Sequence, residues 1–199
     1  MGGLSAPRRL HSLTVSSRTK ILVIALLVEG VVLLIALLLS WFFRIPLSPL
    51  SEHPFRDILL GTFWASVPFG LFVFTLSNKV RTVPMLRSIR KTLLEDVKAL
   101  FSVTGWIDIG VIALLAGFAE ELLFRGIIQA KLGLVPASIM FGLLHCVTPA
   151  YIVIATVVGF YIGVVYTFYH SLLVPIQLHF AYDLAALIYL KYFVKEECG

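Results

Sequence analysis

With 199 residues the chain has room for one ordinary domain and not for two. Hydrophobic residues make up 59% and charged residues 14%, against about 25% charged in soluble domains, and mean hydropathy is +0.98. A soluble globule, a disordered segment and a nucleic-acid-binding module are therefore excluded. The net charge of +5 comes from basic residues scattered between apolar runs, not gathered in a patch for nucleic acid. The expected fold is an all-α polytopic membrane protein, a single domain overall, with about six membrane segments and one interfacial amphipathic helix.

A bilayer core of about 30 Å takes about 20 apolar residues as a helix. The first apolar run, Ile21 to Phe43, has 23 residues and one acid, Glu29. It is too long for the core of a cleaved leader, and no small-x-small cleavage site follows it, so a retained anchor is expected. Glu29 is expected to face the interior of the bundle. The second run extends from Ile58 to Leu76. Between residues 78 and 104, Leu86, Ile89, Leu93, Val97 and Leu100 recur at three- and four-residue steps with basic residues between them. That spacing describes an amphipathic helix on an anionic leaflet.

Residues 1–104 thus form a tail, two spans and an interfacial segment, and 105–194 form a core. The core opens with Trp106 to Ala130, which carries Glu120, Glu121 and Arg125, and continues with Pro136 to Val147, Ala150 to Tyr169 and Leu172 to Val194. The Pro136 segment is short, about 18 Å at 1.5 Å per residue. Pro175 cannot donate to the carbonyl of Ser171, so a kink and an opened helix are expected ahead of His179. Gly159 and Gly163 form a GxxxG pair, read as close helix packing.

Six spans bring both termini to one side. Twelve basic residues share that side: Arg8, Arg9, Arg18, Lys20, Lys79, Arg81, Arg87, Arg90, Lys91, Lys98, Lys191 and Lys195. Arg44, Arg56 and Lys131 lie opposite. By the positive-inside rule both termini are expected in the cytoplasm.

Ionisable groups within a bilayer are costly and mark function. Glu121 and Arg125 are one helical turn apart with the acid N-terminal, the favoured order for an ion pair. Glu120 points about 100° away, has no local cation and is free to act as a base. His145 ends Phe141-x-x-x-His145, and His179 stands one turn before Asp183 on a shared helix face. Counted from the outer ends of their segments, Glu120, His145 and His179 lie about 15, 13 and 12 Å deep, a common level. Water is a poor nucleophile that needs a base or a metal. A desolvated carboxylate is a stronger base than a hydrated one.

Glu-Glu-x-x-x-Arg, then Phe-x-x-x-His, then His-x-x-x-Asp on successive apolar segments resembles the CPBP intramembrane protease family over roughly residues 105–190. That family includes the type II CAAX prenyl endopeptidases and the bacteriocin-processing "Abi" proteins. The resemblance implies peptide-bond hydrolysis inside a membrane, with no cofactor and with a membrane-embedded or membrane-proximal peptide as substrate. It assigns Glu120 as base, His145 as the holder of the water, and His179 with Asp183 to the oxyanion. Glu121 counts with these catalytic residues, and Arg125 and Phe141 support them. The prenyl endopeptidases more usually carry Asn where this chain has Asp183. An ionised carboxylate cannot donate to an oxyanion, so Asp183 is expected either to be protonated or to orient His179. The compact chain is more like the bacterial branch, which implies a bacterial cytoplasmic membrane.

Two other readings use the same residues. In one, zinc is held by Glu120, His145 and His179, an acceptable catalytic shell although the chain contains no HExxH. In the other, the chain is a non-catalytic scaffold, immunity protein or proton-coupled carrier. Cys146 beside His145 is weaker as a nucleophile, because neighbouring helix positions diverge by about 100°.

Overall fold

Backbone polar groups find no partner in hydrocarbon, so apolar runs of this length close their hydrogen bonds within themselves as helices. The computed structural model describes residues 18–77 and 82–194, and no strand occurs among them. Of the orienting basic residues, Arg8, Arg9, Lys79, Arg81 and Lys195 lie outside the described residues.

Helix α1 is Arg18–Phe43, 26 residues long. Helices α2 (Pro54–Trp64) and α3 (Ser66–Leu76) together make a second span. The amphipathic piece consists of α4 (Pro84–Thr92), a π-helical turn at Leu93–Val97 and α5 (Lys98–Phe101). Helix α6 (Trp106–Glu121) passes into a π-helical stretch, Leu122–Gln129, and a last turn, α7 (Ala130–Leu132). Then come α8 (Leu134–Leu144), α9 (Pro149–Tyr169) and α10 (Leu173–Tyr192).

Among the described residues four helices are long and apolar enough to cross a membrane: α1, Pro54–Leu76, α9 and α10. A fifth is reached when Pro84–Phe101 and Trp106–Leu132, bent by 114°, are joined. Trp106–Leu132 has the length by itself, about 40 Å at 1.5 Å per residue, but its buried acids and Arg125 lower its apolarity. Helix α8 has 11 residues, about 17 Å, and reaches through about half a bilayer core. Six segments therefore resolve into four clear spans, one charged one and one half-length helix. The outer face of α1 exposes Val23, Leu27, Val31, Leu34 and Leu38, as lipid contact requires. The chain is an integral membrane protein.

Two expectations change. Leu86, Ile89, Leu93 and Val97 pack on Phe72, Ala186 and Leu190, so the bundle covers much of the stripe that its pattern assigns to the leaflet. Leu100 remains exposed. Pro175 makes no kink, because α10 begins at Leu173 and its first turn needs no donor there.

Both described ends of the chain meet at one end of the bundle. Arg18 grips Asp108 with two hydrogen bonds of 2.7 and 2.8 Å. Lys191 caps the carbonyls of Phe101, Ser102 and Thr104. At the opposite end the Lys131 ammonium lies 5.0 Å from the centre of the Phe43 ring. Helices α1 and α6–α7 are therefore parallel and clasped at both ends. The core between them gathers Ala36, Leu122, Leu123, Phe124 and Phe141.

Candidate active site

Small residues let the helices that bear polar groups approach closely. A Cβ on Gly117 would sit 2.9 Å from the Phe180 nitrogen and 3.0 Å from the Ile176 carbonyl oxygen, so α6 and α10 touch backbone to backbone there. Gly117 lies one turn before Glu121, and the contact delivers Glu121 to His179. Their Oε1 and Nδ1 are 2.7 Å apart. Gly159 of α9 accepts a 2.7 Å hydrogen bond from Arg125 Nη2 and leaves room for the Phe141 ring. Gln129 Nε2 donates to the Gly163 carbonyl at 3.0 Å. The GxxxG pair thus serves close packing, as expected, and also exposes two carbonyls to polar side chains.

Glu121, Arg125 and His179 form one buried chain. Arg125 Nη1 is 3.0 Å from the Glu121 carboxylate, and the guanidinium lies 4.8 Å from the Phe141 ring centre. Exposure is 0% for Glu121, 1% for Arg125 and 4% for His179, so these charges are paired in a dry interior. Glu121 paired to Arg125 acts as an acceptor, so the imidazole donates Nδ1–H to it. His179 Nε2 is then turned towards Asp183, with Oδ2 at 3.3 Å. Sequence spacing pairs Glu121 with Arg125 only; its second partner comes from the meeting of α6 and α10.

Glu120 and His145 form the open half. His145 closes α8, and its Nδ1 lies 2.8 Å from the Phe141 carbonyl. A carbonyl only accepts, so Nδ1 carries the hydrogen and Nε2 presents a lone pair. That nitrogen is 3.7 Å from Glu120 Oε2, too far for a direct hydrogen bond. Glu120 Oε2 is buried and has no hydrogen-bond partner among the described residues. The Phe141 ring stacks on His145 at 4.5 Å and meets His179 edge-on at 5.8 Å, holding the two imidazoles apart. Cys146 is exposed.

A cavity leads to His145, His179 and Asp183. Its apolar wall comes from Leu71 and Phe72 of α3, Ile89 and Leu93 of the amphipathic piece, and Ile154 and Val158 of α9. Tyr151 and Tyr182 line it next to the polar group. Sequence reasoning missed this wall, although the helical spacing of Ile89 and Leu93 was its signal. It also missed the π-helical turn directly after Glu121, a feature common at functional sites.

The site residues on α6, α8 and α10 all lie within residues 102–185, which match the family model described as Type II CAAX prenyl endopeptidase Rce1-like. Over that stretch the chain is similar to the Rce1-like proteins. A Bacillus subtilis relative, the uncharacterised protein YpbD, is 36% identical over 92 residues, 43% of this chain and 47% of its own length. The chain thus spans about half of the curated relative it matches. No solved structure matches. The matched stretch carries every residue assigned above to Glu-Glu-x-x-x-Arg, Phe-x-x-x-His and His-x-x-x-Asp.

The zinc donor set fits poorly. Both nitrogens of His179 face carboxylates, Glu121 and Asp183, and among the described residues no three His, Cys, Asp or Glu side chains converge as a metal shell.

Proposed function

We propose that the chain is an intramembrane endopeptidase that hydrolyses a peptide bond with a water activated by Glu120. The observation that carries this reading is the pair of acceptors at 3.7 Å, the buried, unpartnered Glu120 Oε2 and the fixed lone pair of His145 Nε2. One water donating a hydrogen to each would be held with its own lone pair free for attack. Glu120 takes a proton as the water oxygen adds to the carbonyl carbon. The oxyanion that forms is met from the α10 side by His179 and Asp183, which line the same cavity. Glu121 and Arg125 hold the His179 ring in one orientation, with Nδ1–H given to Glu121, so that the imidazolium keeps Nε2–H as its donor to the oxyanion. The mechanism needs no cofactor.

The substrate class is a membrane-embedded or membrane-proximal peptide, which the apolar cavity wall suits. A leader or C-terminal sorting segment fits better than a prenylated tail, since the relative is bacterial. The same resemblance supports a bacterial cytoplasmic membrane, and the basic residues support cytoplasmic termini.

The test is cleavage of a quenched fluorescent peptide, four leucines around the scissile bond, by protein purified in detergent. Wild type is expected to cleave it, Glu120→Gln to lose the activity, and treatment with a zinc chelator to leave it unchanged. Activity abolished by chelator and restored by zinc would establish the metalloprotease instead, and cleavage by neither form would favour the scaffold.

A further inference from the structure

Helix α1 lies outside the segment that matches the family model, yet it brings a carboxylate to the site. Glu29 is the sole ionisable side chain between Lys20 and Arg44. It shares the inward face of α1 with Val32, Leu33 and Ala36, and these pack into the core around Leu122 and Phe124. The clasp of Arg18 on Asp108 fixes the register of the two parallel helices. Glu29 stands eleven residues beyond Arg18, about 17 Å along α1, and Glu120 twelve residues beyond Asp108, about 18 Å along α6. The two acids are therefore level. Glu29 interacts electrostatically with Glu120, His145, His179 and Asp183, that is, with groups on three other helices. Its Oε2 is buried and, like that of Glu120, has no hydrogen-bond partner among the described residues.

We propose that Glu29 is the general acid of the reaction, the group that protonates the leaving nitrogen. The inference rests on the peptidase reading. Two level, partly buried carboxylates avoid carrying two charges by sharing one proton, as paired acids do elsewhere. With Glu120 ionised, that proton is on Glu29. Glu120 takes a proton from water as the oxygen adds to the carbonyl carbon. The carbon–nitrogen bond breaks, and the nitrogen takes the proton of Glu29. The proton on Glu120 then passes to Glu29, and the site is restored with one water consumed. Glu121 is held by Arg125 and His179 and is not free for this role.

The leaving group provides the test, because an amine must be protonated to depart and a thiolate need not be. The probes are the quenched tetraleucine peptide and its analogue with a thioester at the scissile position, both in detergent. Glu29→Gln is expected to cleave the peptide about 10²-fold more slowly or worse, and the thioester within about threefold of wild type. Glu120→Gln is expected to be slow on both. Glu29→Leu, which removes a polar group from an apolar helix, should melt no lower than wild type and repeat the Glu29→Gln pattern. Equal losses on both probes, or none on either, would overturn the assignment while leaving the peptidase reading in place. A wild type inactive on both probes would overturn the peptidase reading, and this inference with it.

Discussion

Two acids buried at different levels of the bundle have opposite surroundings. Asp57, at the end remote from Arg18, is fully buried and fully engaged. It accepts from the hydroxyls of Ser51 and Ser171 at 2.6 Å each and from Arg56 Nε at 2.9 Å. Those bonds tie the loop before α2 to the turn between α9 and α10. Glu120, midway along Trp106–Leu132, has an oxygen with no partner among the described residues. A satisfied polar cluster holds a fold in one arrangement, whereas a buried group left unsatisfied marks a place where something else is to bind. Between them stands Glu121, whose Oε1 meets both Arg125 and His179 and so fixes the orientation of His179, while its Oε2 has no hydrogen-bond partner among the described residues.

The contrast breaks most sharply at Glu120. Glu120→Gln keeps the shape but cannot take a proton, and activity should fall by about 10²–10⁴ with unchanged thermal unfolding in detergent. Retention of more than about a tenth of the activity would move the base to Glu121. Arg125→Ala should do the reverse and act first on the fold. It strands Glu121 at a fully dry position, at a cost of about 3–5 kcal/mol, read as a lower melting temperature and reduced yield. A well-folded, fully active variant would show that the pair contributes little.

Asp57→Ala removes the acceptor from two serines and should cost about 1–3 kcal/mol of stability. Turnover per folded molecule should stay at the wild-type level, and a selective loss of turnover would tie this end of the bundle to the chemistry. The smallest effect is expected for Asp183→Asn. If Asp183 donates to the oxyanion, the amide replaces it and turnover stays within about tenfold, while Asp183→Ala loses about 10²–10³. The pH profile of turnover in the Asn variant checks this. A hundredfold loss at every pH, with the fold intact, would leave His179 as the sole donor.

The sequence by itself determined the helices and the membrane setting, and it marked the candidate residues of the site. Each rests on short-range physics: length against bilayer thickness, and Glu121 with Arg125 one turn apart. It also marked Glu29, since a lone acid in 23 apolar residues has to face inward. What the tertiary structure decided is which groups meet. Glu121 reaches His179, 58 residues away, because Gly117 lets two backbones touch. His145 faces Glu120 because α8 stops half-way and frees its last side chain, which no periodicity signals. The amphipathic stripe of α4 turned out to wall a cavity, because a pattern states that a face is apolar and not what covers it. Pro175 fell in a first turn instead of a kink for a similar reason: where a helix begins depends on the turn before it, here held by Ser171 and Asp57.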